Sequence, residues 1–414
     1  MIKVNKPKIR FKNFNDSWSL RKLSDTQTDF KDGNYGEAYP KETDLTSSTQ
    51  GVPFLRGSDL DNGKLALTNA RYITQSKHNE LISGHLIEDD IVIAVRGSLG
   101  SLGYVGPDNE GWNINSQLAI IRTRKIELIG NYLIQFLLSN RGNKEISSHI
   151  TGTALKQLPI KQLKNIKVPI PKIEEQSAIG SLFRTLDDLL SSYKSNLASY
   201  QSLKATMLSK MFPKVGQKVP EIRLDGFEGE WKIKKFKSIS NKRGKSNSKG
   251  YDYPAYSVSN QSGLIPQSEQ FEGSRLENLE KTSYKIVEPN EFAYNPARIN
   301  VGSIAFNDLH ETVIVSSLYV IFSLDKSMDN NYALLFIESA EFNKEVRRNT
   351  EGSVREYLFY ENFANIRIPI PPSLEEQRAI GSYFSNLDNL INSHQEKISQ
   401  LETLKKKLLQ DMFI

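Results

Sequence analysis

Pro169-Ile-Pro-Lys-Ile-Glu-Glu-Gln-Ser-Ala-Ile-Gly-Ser-Leu-Phe183 recurs as Pro369-Ile-Pro-Pro-Ser-Leu-Glu-Glu-Gln-Arg-Ala-Ile-Gly-Ser-Tyr-Phe384, with one inserted residue. Each copy opens as a β-type run, Ile166 to Pro171 and Ile366 to Pro371, that halts on proline. Glu174, Glu175, Glu375 and Glu376 follow where the first turn of a helix would place acids against its positive end.

The repetition extends in both directions. Upstream, Pro7-Lys-Ile-Arg-Phe11 with Phe14 and Trp18 returns as Pro220-Glu-Ile-Arg-Leu224 with Phe227 and Trp231. Between them, Leu99 to Tyr104 matches Val301 to Phe306, Ser116 and Leu118 match Ser316 and Leu318, and Gly152-Thr153 matches Gly352-Ser353. A colinear repeat near 200 residues is too long for a solenoid and reads as two tandem copies of one domain-plus-helix unit. Short β-type runs such as Ile91 to Val95, Leu118 to Ile121 and Val313 to Val315 alternate with helical stretches such as Tyr132 to Ser139. Each globular part is therefore read as α+β.

Downstream of each motif, apolar residues recur at Ile179, Leu182, Leu186, Leu189, Tyr193, Leu197, Tyr200, Leu203, Met207 and Met211. The second copy has Ile380, Tyr383, Leu387, Leu390, His394, Ile398, Leu401, Leu404, Leu408 and Met412. A mean spacing of about 3.6 gives one apolar stripe on helices of about 38 residues, roughly 57 Å long. Helices that long are expected to pair with each other as an antiparallel coiled coil. The expected organisation is a domain over 1–167, a helical spacer over 168–213, a second domain over 214–367 and a second spacer over 368–414.

Composition narrows the chemistry. Among 414 residues there is no cysteine, which excludes disulfides, thiolate metal sites and cysteine nucleophiles. The five histidines, His78, His85, His149, His310 and His394, show no metal-site spacing, and His394 is read as a seam or partner-facing residue. No apolar run approaches the length of a membrane span, and a cytoplasmic location is expected. A net charge of +6 leaves a polyanionic partner open without requiring one.

The paired Pro-Ile-Pro…Glu-Glu-Gln…Ala-Ile-Gly…Phe segments, with long helices ending Met211-Phe212 and Met412-Phe413, resemble the DNA specificity subunit of Type I restriction–modification systems. The resemblance spans essentially the whole chain. It implies two target recognition domains, each reading one half of a bipartite asymmetric site in double-stranded DNA. It also implies helical spacers that dock two methyltransferase subunits, with restriction subunits joining the complex. No catalytic site is then expected in this chain, nor any cofactor; S-adenosylmethionine, ATP and Mg2+ would belong to the partner subunits. The helix-start residues Glu174, Glu175, Gln176, Phe183, Glu375, Glu376, Gln377 and Phe384 are the expected partner-binding positions.

DNA contacts need cations for phosphates and Arg, Asn, Gln, Ser or Thr at base edges. In the first domain the candidates are Arg56, Ser58, Arg96, Ser98, Asn113, Asn115, Gln117, Thr151, Thr153 and Lys156. In the second they are Ser257, Asn260, Tyr294, Arg298, Asn300, Arg347, Arg348, Ser353 and Arg355, joined by Lys242, Arg243 and Lys245 from the acid-free run Lys232 to Lys249, read as a flexible loop. Turn-making glycines and arginines paired with surface acids fit the same patterns. Matched positions differ in kind: Arg56 faces Ser257, and Arg96-Gly97 faces Ala297-Arg298.

Catalytic motifs are missing. Asn295-Pro-Ala-Arg298 lacks the second proline and aromatic of amino-methyltransferases, and no Gly-x-x-x-x-Gly-Lys-Ser/Thr phosphate loop occurs. The Asp/Glu-x-Lys triplets, Asp29-Phe-Lys31 and Glu230-Trp-Lys232, do not closely follow a Pro-Asp dipeptide as a metal nuclease would need. The alternative to a DNA reader is a coiled-coil adaptor that joins two proteins without touching DNA.

Overall fold

A computed structural model describes residues 6–153, 155–260, 263–270, 281–349 and 357–413. The chain divides into two compact units, Met1–Lys194 with Glu396–Ile414, and Ser195–Gln395.

In the first unit four antiparallel strands lie in the order Asp29–Asp32, Leu118–Arg122, Ile91–Ala94, Leu102–Tyr104. Side chains alternate between faces along a strand, and here both faces are covered, which is why the central strands read as unbroken apolar runs. Ile91, Ile93, Ala119 and Ile121 join Tyr132, Phe136 and Phe183 in one core. Val92, Ala94, Leu118 and Ile120 join Leu55 and Ile114 in another. The second unit repeats the sheet with Ser240–Arg243, Val320–Leu324, Phe292–Tyr294 and Ile304–Phe306. Phe292, Tyr294, Val320 and Phe322 face one core, and Ala293, Ala305 and Ile321 face the other.

The basic run expected to be a flexible loop contains two strands. Lys232–Lys235 pairs antiparallel with Arg367–Ile370, and Ser240–Arg243 forms the sheet edge beside Val320–Leu324. Spaced lysines on an edge strand stay solvated while the backbone pairs on its other side. Pro169 and Pro369 lie inside their strands, opposite Leu20 and Ile233, because each two-stranded ribbon leaves one backbone edge free.

The two long helices are Ile173–Lys210 and Leu374–Asp411. In the first unit Asp187 pairs with Lys405 at 2.5 Å and Lys194 with Glu402 at 2.6 Å. In the second, Tyr200 packs edge-on against His394 with ring centroids 5.2 Å apart, and Lys204 pairs with Asp388 at 2.7 Å. In both units one partner's number rises as the other's falls, so the helical segments pair antiparallel.

The shielded positions of the first helix are 179, 183, 186, 190, 193, 197, 200, 204 and 207, alternating steps of four and three. The second repeats this at 380, 384, 387, 391, 394, 398, 401, 405 and 408. That is a heptad repeat, tighter than the 3.6 spacing expected. Phe183, Leu190 and Lys204 take seam positions assigned to Leu182, Leu189 and Leu203. Leu189, Leu203, Leu390 and Leu404 lie on the flank, 41–44% exposed.

Each unit's core is completed by the end of a helix that starts elsewhere in the sequence. In the first unit Phe413 packs on Tyr132, Phe136 and Phe183 at 5.8–6.2 Å. In the second, Phe212 packs on Trp231, Tyr332 and Phe336 at 5.5–6.4 Å. The backbone just beyond is matched too: Ile222 N–H donates to the Lys210 carbonyl at 3.0 Å, and Ile9 N–H to the Asp411 carbonyl at 3.1 Å. Among the described residues no helix is long and apolar enough to cross a membrane.

Candidate nucleic-acid interface

Backbone hydrogen bonds gather four loops of the first unit at one end of its sheets. Asn115 N–H donates to the Leu55 carbonyl at 2.9 Å, Val95 N–H to the Gln117 carbonyl at 2.8 Å, and Leu158 N–H to the Val95 carbonyl at 3.1 Å. A Cβ on Gly57 would stand 3.7 Å from Ser98, so the Arg56–Ser58 and Arg96–Ser98 turns are neighbours. The gathered candidates Ser58, Arg96, Ser98, Gln117, Thr151, Thr153 and Lys156 are exposed. Gly97 has φ +73° and nothing within 4 Å of where a Cβ would stand, leaving open space beside the arginine.

Three first-unit candidates have structural partners instead. Arg56 donates its backbone N–H to Asp59 at 2.8 Å and a guanidinium N–H to the Asn69 carbonyl at 2.5 Å, which holds it to its own turn. Asn113 is fully buried against His78, and Asn115 is buried with its Oδ1 accepting from Gln117 N–H at 3.0 Å. Sequence reasoning passed over Tyr35, whose ring lies 5.2 Å under the Arg96 guanidinium and whose hydroxyl accepts from it at 3.1 Å. Arg96 also donates to the Ser116 carbonyl at 2.8 Å, so its planar head is held at the surface by three contacts.

In the second unit Arg298 and Asn260 are exposed, on neighbouring loops: a Cβ on Gly302 would meet the Asn260 carbonyl at 3.7 Å. Ser257 is buried in a strand, and Tyr294 is a core residue whose hydroxyl donates to the Leu358 carbonyl at 2.9 Å. Burial pushes the Tyr294 phenol far above its usual range, so it stays neutral. These two do not reach the surface. Arg347 and Arg348 are exposed on the last turn of helix Ala340–Asn349, where Arg348 pairs with Glu345 at 2.8 Å. Lys242 pairs with Glu361 at 2.6 Å and Arg243 donates to Ser323 at 3.1 Å, while Lys245 stays exposed. Ser353, Arg355 and the Asn300 side chain lie outside the described residues.

The helix-start motif serves the interior of its own unit. Glu175, 1% exposed, accepts two hydrogen bonds from Arg10 at 2.7 Å and one from the Trp18 indole at 3.1 Å. Hydrogen bonding to this carboxylate raises the Arg10 guanidinium above its ordinary value. Gln176 accepts from Ile129 N–H at 2.9 Å and donates to the Glu127 and Pro171 carbonyls at 3.0 Å. Glu376 repeats the fork with Arg223 at 2.8 Å, and Gln377 accepts from Asp329 N–H at 2.9 Å. Phe183 and Phe384 are core residues. Of the eight expected partner-facing positions, only Glu174 and Glu375 are exposed.

This geometry defines a class: a duplicated α+β binding protein whose matched loops present different side chains on one frame, with a helix pair running through each unit. The chain belongs to the Type I restriction modification DNA specificity domain family, whose model matches residues 17–198 and again 228–403. It is 22% identical over 409 residues to the proposed type I restriction enzyme MjaX specificity subunit of Methanocaldococcus jannaschii, covering 95% of this chain and 92% of the relative. It is 23% identical over 283 residues to the MjaVIII specificity subunit of the same organism, covering 64% of this chain and 65% of the relative. The fold is similar to the crystal structure of a Type I restriction–modification S subunit from M. genitalium, with TM-score 0.63, 15% identity and 99% of both chains covered.

Proposed function

We propose that the chain is the DNA sequence-specificity subunit of a Type I restriction–modification complex, each unit reading one half of a bipartite asymmetric target. The observation that carries this reading is the pairing of an almost repeated frame with unlike tips: Arg96-Gly97 in one unit stands where the other has Ala297-Arg298. Two identical half-sites would be met by identical tips. Arg96 and Arg298 suit bidentate contact with guanine or with phosphate. The exposed flank leucines, Leu189 with Leu404 in the first unit and Leu203 with Leu390 in the second, provide apolar positions on which two methyltransferase subunits could dock. In this reading S-adenosylmethionine, ATP and Mg2+ are bound by the methyltransferase and restriction subunits, and the complex acts on cytoplasmic DNA.

The test is binding and methylation by the chain assembled with its methyltransferase subunits. Specific duplex should be bound with an affinity that falls steeply between about 50 and 200 mM salt. An affinity for protein partners with no salt-dependent DNA binding would replace this function with that of an adaptor.

A further inference from the structure

Gln117 and Leu318 occupy the same place in the two units. In the first, Leu118 N–H donates to the Asn115 carbonyl at 3.1 Å and Gln117 N–H to the Asn115 side-chain oxygen at 3.0 Å. In the second, Tyr319 N–H donates to the Ser316 carbonyl at 3.1 Å and Leu318 N–H to the Ser316 hydroxyl at 3.5 Å. The turn therefore equates Leu118 with Tyr319, one residue away from the match drawn between Leu118 and Leu318 in the sequence. Burial agrees, since Leu118 is 0% exposed and Leu318 is 75% exposed.

Leu318 is thus an apolar side chain held out of a Ser-Ser-Leu turn, between two strands whose nearest residues, Val315 and Val320, are buried. A cation stands beside the turn. The Lys285 ammonium donates to the carbonyl of the next residue, Tyr319, at 2.6 Å. Burial first, and then the nearby Lys242 charge, lower the affinity of Lys285 for its proton. A leucine offers nothing to a phosphate, but in the major groove thymine alone presents a methyl group. A glutamine at the matched position offers an amide that pairs with adenine N6 and N7. A protein partner docking equally on both units would meet the same chemistry at both turns. The two halves of an asymmetric DNA site would not.

We propose that Leu318 is a specificity-determining residue that reads a thymine C5-methyl group in the half-site bound by the second unit, at the place where the first unit presents Gln117. This rests on the DNA-reading function proposed above.

The test uses the full chain assembled with its methyltransferase subunits. Preferred duplexes are first selected from a randomised library, and each thymine is then replaced singly by deoxyuridine, which removes only the methyl group. The wild-type complex should lose about fourfold in affinity at one thymine of one half-site, the value of one buried methyl-sized group. Leu318→Ala should bind the thymine and deoxyuridine duplexes alike, with unchanged thermal unfolding and unchanged selection at the other half-site. Leu318→Gln should move the preference at that position from thymine towards adenine. Deoxyuridine that is tolerated everywhere by the wild type overturns the assignment of Leu318 while leaving DNA reading intact. A uniform loss across all duplexes in Leu318→Ala, or impaired assembly with the methyltransferase, also overturns it. A wild-type complex that selects no sequence at all overturns the DNA-reading function and this proposal together.

Discussion

The Lys405 ammonium lies 2.5 Å from the Asp187 carboxylate in the first unit, and the repeat counterpart of that pair, Lys204 with Asp388, closes to 2.7 Å in the second. Each lysine occupies a heptad seam position, with its side chain only 16% and 24% exposed. A polar residue in an otherwise apolar seam lowers stability and fixes the register of the pairing. Lys405→Leu should therefore raise the unfolding temperature and permit alternative helix registers, seen as extra products in disulfide-scanning across the seam. A double-mutant cycle across Lys405 and Asp187 should return about 1 kcal/mol of coupling in urea denaturation.

Removing Arg10 strands a buried carboxylate. Among the described residues Glu175 would keep only the Trp18 indole, so Arg10→Ala should cost about 3 kcal/mol. Arg223→Ala should have the corresponding effect on the second unit, where Glu376 is 1% exposed. Limited proteolysis should show the affected unit cut first and the other persisting.

Phe413→Ala should lower stability by about 3–5 kcal/mol, because it empties a site between three aromatic rings of the first unit. The same change at Phe212 should be felt in the second. Fluorescence of Trp18 and Trp231 in single-tryptophan variants would assign each loss to its unit.

Arg96 and Arg56 should separate by phenotype. Arg96→Ala removes an exposed guanidinium positioned by Tyr35, and is expected to weaken recognition of one half-site by about 1–3 kcal/mol without changing the unfolding temperature. Arg56→Ala should mainly reduce stability, by about 1 kcal/mol, since the side chain is tied to Asp59 and Asn69. Methylation sequencing of cells carrying each variant, beside a thermal melt, distinguishes the two outcomes.

The two tandem units and the antiparallel helix pair were legible because a repeat and an apolar stripe are local patterns. The phase of the seam was not. Leu189 and Leu203 look like seam residues, whereas Lys204 looks like solvent, and the positions of Asp388 and Glu338 in the second unit show why that lysine is shielded. The inward role of the second Glu and the Gln of each Glu-Glu-Gln motif is not legible for a related reason. The partner of Glu175 is Arg10, 165 residues earlier, and no short-range pattern announces such a fork. Among the candidate interface residues, exposed Arg96 and Arg298 are accessible from turn chemistry. Buried Asn113 and Tyr294 were not separable from them until the strands placed their side chains inward.

The matched pair of backbone contacts, Ile222 on Lys210 and Ile9 on Asp411, has a consequence for how the gene could be written. Residues 211–221 bridge in covalent form a junction that Ile9 and Asp411 make by a backbone hydrogen bond. The two junctions share one backbone contact, so the covalent link can be moved from one to the other. A permuted gene that joins Asp411 to Ile9 through a linker of comparable length and begins near Gln217 should encode the same folded object, reading the same two half-sites from the opposite end of its message.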